Sequence, residues 1–137
     1  ASGCASYAGI PLTHRDYSQA CIFVTGHLRD GTVNLNWEML AHEKQTLIFY
    51  MGMHGSKIIC EELIKHGLSD ETPAALIVKG TTEDQEVIIG NLKNMPEIIM
   101  ERKIVPPTLL IIGDVVKLHN KLKWFNPFHL GNKNLHI

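Results

Sequence analysis

Three short stretches of this chain hold residue types able to bind or transfer a group. The first, Gly9-Ile10-Pro11-Leu12-Thr13-His14-Arg15-Asp16-Tyr17, gathers a cation, an imidazole, a carboxylate and two hydroxyls. Arg15 presents a planar fork of five donors that matches a carboxylate or a phosphate, and Asp16 beside it is suited to orient that fork. A solvated turn with a local Arg–Asp contact worth about 0–1 kcal/mol would account for the same residues. The second stretch is Tyr50-Met51-Gly52-Met53-His54-Gly55. Its glycines admit close backbone approach, and Met51 offers a polarizable surface to a flat ring, although a methionine tucked into the core reads the same way. The glycine spacing is not a dinucleotide fingerprint. The third, Lys79-Gly80-Thr81-Thr82-Glu83-Asp84-Gln85, places Thr82 and Gln85 at capping-box spacing. Backbone amides of such a turn can hold a polar ligand group, and an ordinary connection is the alternative.

The elements that position these stretches follow from apolar patterning. Five segments carry the strand signal: 21–25, 46–50, 74–78, 86–92 and 108–112. Helical signals between several of them give the alternation of an α/β layer fold. Residues 74–78 and 109–112 are apolar at every position, which predicts central strands covered on both faces and at least partly parallel. A helix is expected over 56–66, with Ile59 and Leu63 inward, Glu61 and Lys65 paired outward, and Gly67 as its stop. Another begins near Pro96, a short one is capped by Asn36, and residues 1–8 read as helical before Gly9. The second and third stretches then fall at the carboxyl ends of strands, the edge at which open α/β sheets bind ligands.

Composition excludes several classes. At 137 residues with 45% hydrophobic content, the chain suits one domain with a real core rather than disorder. Thirteen basic against fourteen acidic residues give a formal charge of -1, so no basic field holds nucleic acid. No apolar run approaches the roughly 20 residues of a bilayer span. Three cysteines without CxxC spacing read as reduced thiols of a cytoplasmic protein, and no two of the eight histidines lie three to five residues apart, so no metal site is expected. Trp37, Trp124 and Phe125 read as core or interface anchors, and residues 126–137 as a loosely held tail. The start at Ala1-Ser2-Gly3 reads as part of something longer. These residues by themselves define an α/β ligand-binding domain.

The order of motifs adds a resemblance. Residues 1–4 and Gly9 to Tyr17, then Val24-Thr25-Gly26-His27-Leu28, Trp37-Glu38, Glu43 to Leu47, Phe49-Tyr50-Met51-Gly52, Thr72 to Ala75, Gly80-Thr81, Ile111 to Val116 and Lys121 to Phe125 occur in sequence and at matching spacing. Over about residues 1–125 the chain resembles the tetrapyrrole methylases, and among them the uroporphyrinogen-III C-methyltransferases. The resemblance implies the C-terminal domain of a two-domain fold, a single three-layer-like α/β unit whose mixed sheet of about five strands is flanked by helices. The Gly-Pro-Gly-Asp-type loop that opens the family's first domain does not occur here.

The implied activity is transfer of methyl groups from S-adenosyl-L-methionine to carbons 2 and 7 of uroporphyrinogen III. The products would be precorrin-2, on the way to sirohaem and cobalamin, and S-adenosyl-L-homocysteine. By the same resemblance Met51, Gly80 and Thr108 contact the cofactor, and Arg15 with His14 contacts the tetrapyrrole. No residue is assigned as the base. The implied partners are a missing N-terminal half and a second copy in a homodimer, with neither nucleic acid nor membrane. A non-catalytic dimerisation or ligand-binding module, or a precorrin methyltransferase with another acceptor, remain alternatives.

Overall fold

Five strands form where the apolar runs predict them, within about one residue at either end. The computed structural model describes residues 1–26, 33–50 and 53–126. The strands are β1 (Ala20–Thr25), β2 (Gln45–Tyr50), β3 (Pro73–Val78), β4 (Glu86–Asn91) and β5 (Thr108–Ile112). They build one sheet in the order β1-β2-β5-β3-β4. Only β1 and β2 run parallel; β5 is antiparallel to both β2 and β3, and β3 and β4 make an antiparallel hairpin.

The sheet is therefore mixed, as expected, but its fully apolar strands have a different cause from the one the sequence suggests. Both neighbours of β3 and both neighbours of β5 are antiparallel. What their composition reports is cover on both faces. Leu76, Leu110 and Ile112 face one cluster with Ile59, Leu63 and Met95, whereas Ala75, Ile77 and Ile111 face another with Ala5, Ile10 and Val115. A strand buried on both sides needs apolar residues at every position whichever way its neighbours run.

The helices supply that cover. Helix α3 (Ser56–Lys65) buries Ile59, Cys60 and Leu63 and stops before Gly67 at φ +118°. Its surface charges pair as Lys57–Glu61 and Glu62–Lys65, both at 3.9 Å, instead of the expected Glu61–Lys65. Helix α2 (Trp37–Leu40) is capped by Asn36, whose side-chain oxygen accepts from the Met39 amide at 3.2 Å. Helix α4 (Met95–Glu101) carries Pro96 in its first turn. On the other face lies α1 (Ser2–Tyr7), with Ala5 buried. No helix among the described residues is long and apolar enough to cross a membrane.

One segment was not legible in advance. After β5 the chain forms a 3-10 turn, Asp114–Leu118, and a short helix, α5 (His119–Leu122). His119 Nδ1 contacts the Ala8 carbonyl, and Trp124 Nε1 donates to the Ser6 carbonyl at 3.0 Å. Tyr7 packs on the rings of Trp124 and Phe125, each with centroids 4.9 Å away. Trp124 is nonetheless exposed, so it anchors this segment to α1 without entering the core. Gly9, at φ +64°, lets the backbone of Leu122 and Lys123 come so close that a Cβ would lie 2.4 Å from the Lys123 amide nitrogen. The predicted tail, from residue 127 onward, falls outside the described residues.

Two stability tests follow from this packing. Gly9→Ala meets backbone and a left-handed φ together, and should cost about 3 kcal/mol or more in urea unfolding. Gly67→Ala has open space around it and should cost only the conformational penalty of about 1–2 kcal/mol. Equal losses at the two sites would contradict the close approach at Gly9. A second test concerns Cys60, which is 1% exposed. Burial, with a smaller contribution from the Glu61 charge, pushes its thiol from the ordinary 9.0 up to about 12. Below pH 9 both folded and unfolded forms hold the proton. As pH climbs from about 9 towards 12 the unfolded thiol ionises first, so this group's contribution to stability is lost over that window. At pH 8 the half-buried Cys4 and Cys21 should react with a maleimide in the native protein, and Cys60 only after unfolding.

Candidate functional site

Strand register decides which residues can meet. Because β2 and β3 both run antiparallel to β5, they end at the same edge of the sheet, where β5 begins. Tyr50 and Ile77 both lie opposite Leu109, Val78 lies opposite Thr108, and Thr25 lies opposite Tyr50. The stretch after β3 and the start of β5 therefore lie at the same carboxyl edge, with Gly80 two residues beyond Val78, the partner of Thr108. Met51 falls outside the described residues; the residue before it, Tyr50, closes β2 at this edge.

The segment 79–85 is the loop of the β3–β4 hairpin. It does not open a helix, so the capping-box spacing of Thr82 and Gln85 is used differently from the expectation. Thr82 Oγ1 donates to the Lys79 carbonyl at 2.7 Å and accepts from the Asp84 amide at 3.2 Å. Gln85 Oε1 accepts from the Thr81 amide at 2.8 Å, and its Nε2 donates to the Tyr7 carbonyl at 3.3 Å. The Lys79 amide donates to Pro107 at 2.9 Å, and Lys79 Nζ lies 3.6 Å from Asp84 Oδ2.

This network holds an uncommon backbone. Lys79 at φ 47° and Thr81 at φ 69° are both left-handed without being glycine, a conformation that costs of order 1 kcal/mol or more at each residue. Between them, a Cβ on Gly80 would lie 2.6 Å from Cys4 Sγ and 3.1 Å from Ile77, so helix α1 packs directly against the loop. Among the described residues, neither the N–H nor the C=O of Gly80 makes a hydrogen bond, and neither does the hydroxyl of half-buried Thr108. The edge thus presents a donor and acceptors that the protein leaves unused, on a backbone fixed by its neighbours.

Arg15 and His14 lie elsewhere. The turn from His14 to Ser18 is closed by two backbone hydrogen bonds of 2.8 Å, and Ser18 Oγ receives the buried Thr46 hydroxyl at 2.8 Å. With the Gln19 amide donating to the Lys44 carbonyl at 2.9 Å, this pins the loop to the starts of β1 and β2. Those strands have six residues, about 17 Å end to end, so the loop belongs to the opposite end of the sheet from Gly80. The expected Asp16–Arg15 contact is absent. The tight turn points Asp16 back at His14, whose Nδ1 accepts from the Asp16 amide at 3.2 Å and lies 3.8 Å from its carboxylate. Exposed Arg15 makes no ion pair among the described residues.

Two cavities adjoin these stretches. One of about 350 Å³ opens beside Asp16, Lys44, Gln45, Glu71, Gly113 and Asp114 at the far end. The other, about 810 Å³, is a groove between α3 and α4 walled by Met53, Cys60, Ile64, Ile99, Met100 and Ile104. Among the described residues no three of His, Cys, Asp or Glu gather into a metal cluster. Sequence reasoning missed two features of the carboxyl edge: the bridge made by Gln85, and the exposed Phe23–Tyr50 ring pair with centroids 6.5 Å apart. Alternation could not have found the pair, since β2 is buried at every position from Thr46 to Phe49 and nothing in its pattern sets Tyr50 apart.

Comparison with known proteins agrees with this architecture. The model of the family "Tetrapyrrole (Corrin/Porphyrin) Methylases" matches residues 1–96. Siroheme synthase of Thioalkalivibrio sulfidiphilus is 58% identical over 127 residues, covering 93% of this chain and 26% of that protein. The siroheme synthase of Pseudomonas aeruginosa is 57% identical over 125 residues, covering 91% and 27%. Uroporphyrin III C-methyl transferase of Thermus thermophilus superposes with a TM-score of 0.71 at 27% identity, over 84% of this chain and 48% of that one. The same enzyme complexed with S-adenyl homocysteine gives 0.69 at 26% identity, over 84% and 50%. A cobalt precorrin-4 methyltransferase, at 22% identity and a TM-score of 0.73, shares the fold. The chain spans about a quarter of the curated relatives it matches and about half of the solved methyltransferases. With the family model covering well over half its length and the sheet superposing on solved members, the chain belongs to the tetrapyrrole (corrin/porphyrin) methylases.

Proposed function

We propose that residues 1–125 are the C-terminal, cofactor-binding half of an S-adenosyl-L-methionine-dependent uroporphyrinogen-III C-methyltransferase, and that methyl transfer requires a further N-terminal half. The observation that carries the reading is the carboxyl edge: among the described residues Gly80, two residues past Val78, leaves its N–H and C=O unused, and Thr108, paired with Val78, leaves its hydroxyl unused. It is supported by a structural relative described as complexed with S-adenyl homocysteine.

The cofactor supplies an electrophilic sulfonium methyl, and the electron-rich pyrrole carbon of the acceptor attacks it. The protein's share is therefore position and electrostatics. Gly80 offers one donor and one acceptor from a backbone that does not reorganise on binding. Thr108 adds a hydroxyl, and Met51 packs against the cofactor. The one ion pair described in this loop, Lys79–Asp84, is solvent-exposed, and Gly80 and Thr108 themselves offer only neutral dipoles to a zwitterionic ligand.

Arg15 holds a carboxylate of the tetrapyrrole, with His14 beside it. Uroporphyrinogen III bears eight carboxylates around its rim, and a guanidinium that makes no ion pair among the described residues is available to one of them. Because Arg15 lies toward the other end of β1, the acceptor must extend along the sheet from the carboxyl edge to reach it. No residue of this chain is assigned as the base; the resemblance puts the family's candidate acidic residues in the further half, and proton removal is assigned there. Assembly as a homodimer and a cytoplasmic location accompany the same reading. The alternative reading is a binding module without chemistry.

Titration of this chain with S-adenosyl-L-homocysteine by calorimetry tests the cofactor half of the proposal. Binding at micromolar concentration, about 8 kcal/mol, is expected; no heat at millimolar ligand would remove the site from this chain. Adding the N-terminal half in trans should restore methyl transfer, and saturable cofactor binding without transfer would favour the binding module. Within the reconstituted enzyme, Arg15→Ala should weaken tetrapyrrole binding about tenfold or more and leave cofactor binding unchanged, while Met51→Ala should do the reverse. Equal losses in both ligands for either variant would contradict the assignments.

A further inference from the structure

We infer that Gln85 is a positioning residue for the cofactor edge, fixing the Lys79–Thr81 backbone so that Gly80 is left with its donor and acceptor free for a ligand. The inference rests on the proposed cofactor role of that edge and names how the fold maintains it.

Gln85 uses both ends of its amide. The Oε1 atom accepts from the Thr81 amide at 2.8 Å, and Nε2 donates to the Tyr7 carbonyl at 3.3 Å. Tyr7 is the last residue of α1, where carbonyls have no partner within the helix, so this bond ties the helix end to the loop. The Gln85 backbone is itself anchored: its amide donates to the Thr82 carbonyl at 3.1 Å, and the next residue, Glu86, pairs with Val78. One side chain therefore joins the hairpin loop, the sheet edge and α1, the helix whose Cys4 abuts Gly80.

The geometry also explains why the residue is glutamine. Thr81 sits at φ 69°, and without Gln85 its amide has no acceptor among the described residues. Glutamate keeps the acceptor for Thr81 but sets a carboxylate oxygen against the Tyr7 carbonyl. Leucine keeps the bulk and loses both bonds. Asparagine is one methylene short of spanning the loop. Release of Thr81 frees two left-handed residues to relax, and Gly80 moves with them, which costs ligand affinity in advance of global stability.

The test compares the 137-residue chain with its Gln85→Leu and Gln85→Glu variants by calorimetry with S-adenosyl-L-homocysteine, urea unfolding and amide hydrogen exchange. Gln85→Leu should raise the dissociation constant about tenfold with little change in the urea midpoint, and should speed exchange at Thr81 while β3 and β5 stay protected. Gln85→Glu should recover part of the affinity and the Thr81 protection. Wild-type affinity in Gln85→Leu would overturn the inference, as would affinity and stability falling together in both variants. If the unmodified chain binds no S-adenosyl-L-homocysteine, the cofactor role itself fails, and exchange decides separately. Faster exchange confined to 79–82 in Gln85→Leu then upholds the brace, and unchanged exchange there overturns it.

Discussion

Strand β5 runs antiparallel between β2 and β3, and the positional relations at the candidate site depend on it. Had β5 run parallel to them, Thr108 would sit at the far end of the sheet from Gly80. The antiparallel ladder instead sets Val78 opposite Thr108 and both Tyr50 and Ile77 opposite Leu109. The site is thus assembled from segments nearly 60 residues apart in the chain by hydrogen bonds of the sheet, whose geometry leaves little freedom. Burial on both faces of β3 and β5 stiffens that frame, since any slip by one residue would exchange the two apolar faces.

Much of this was legible in the residues. Apolar runs placed all five strands, Asn36 marked the start of α2 and Gly67 the stop of α3, because these signals are local and each has a direct mechanical cause. Strand direction was not legible. An all-apolar run reports that both faces are covered, and β3 and β5 satisfy that condition with antiparallel neighbours. The segment from Asp114 to Leu122 escaped for another reason: pieces of four or five residues have no measurable period, and this one owes its place to the close approach over Gly9 and to Trp124 on α1.

The candidate site was less accessible than the fold. Gly80 and Thr108 came from the family resemblance, and no local pattern says that residue 108 stands opposite residue 78. The Thr82–Gln85 spacing was real but ambiguous, since a glutamine can reach back to an amide in a hairpin loop as readily as at a helix start. Adjacency misled at Arg15 and Asp16, where a tight turn sends the carboxylate to His14. The resulting separation between Arg15 and Gly80 places a condition on any shared ligand, which must be long enough to run most of the length of a strand. A macrocycle with carboxylates at its rim is the kind of molecule that meets it.

The central claim is that this half carries the cofactor at the carboxyl edge, by backbone groups held ready before binding. Backbone amide chemical shifts, followed by NMR as S-adenosyl-L-homocysteine is added to the labelled chain, test it most directly. The account predicts saturable shifts at Lys79 to Thr82 and at Thr108, with residues 13–18 and the α4 wall of the α3–α4 groove unmoved. Shifts centred on that groove or on the Arg15 loop, with Gly80 silent, would contradict it.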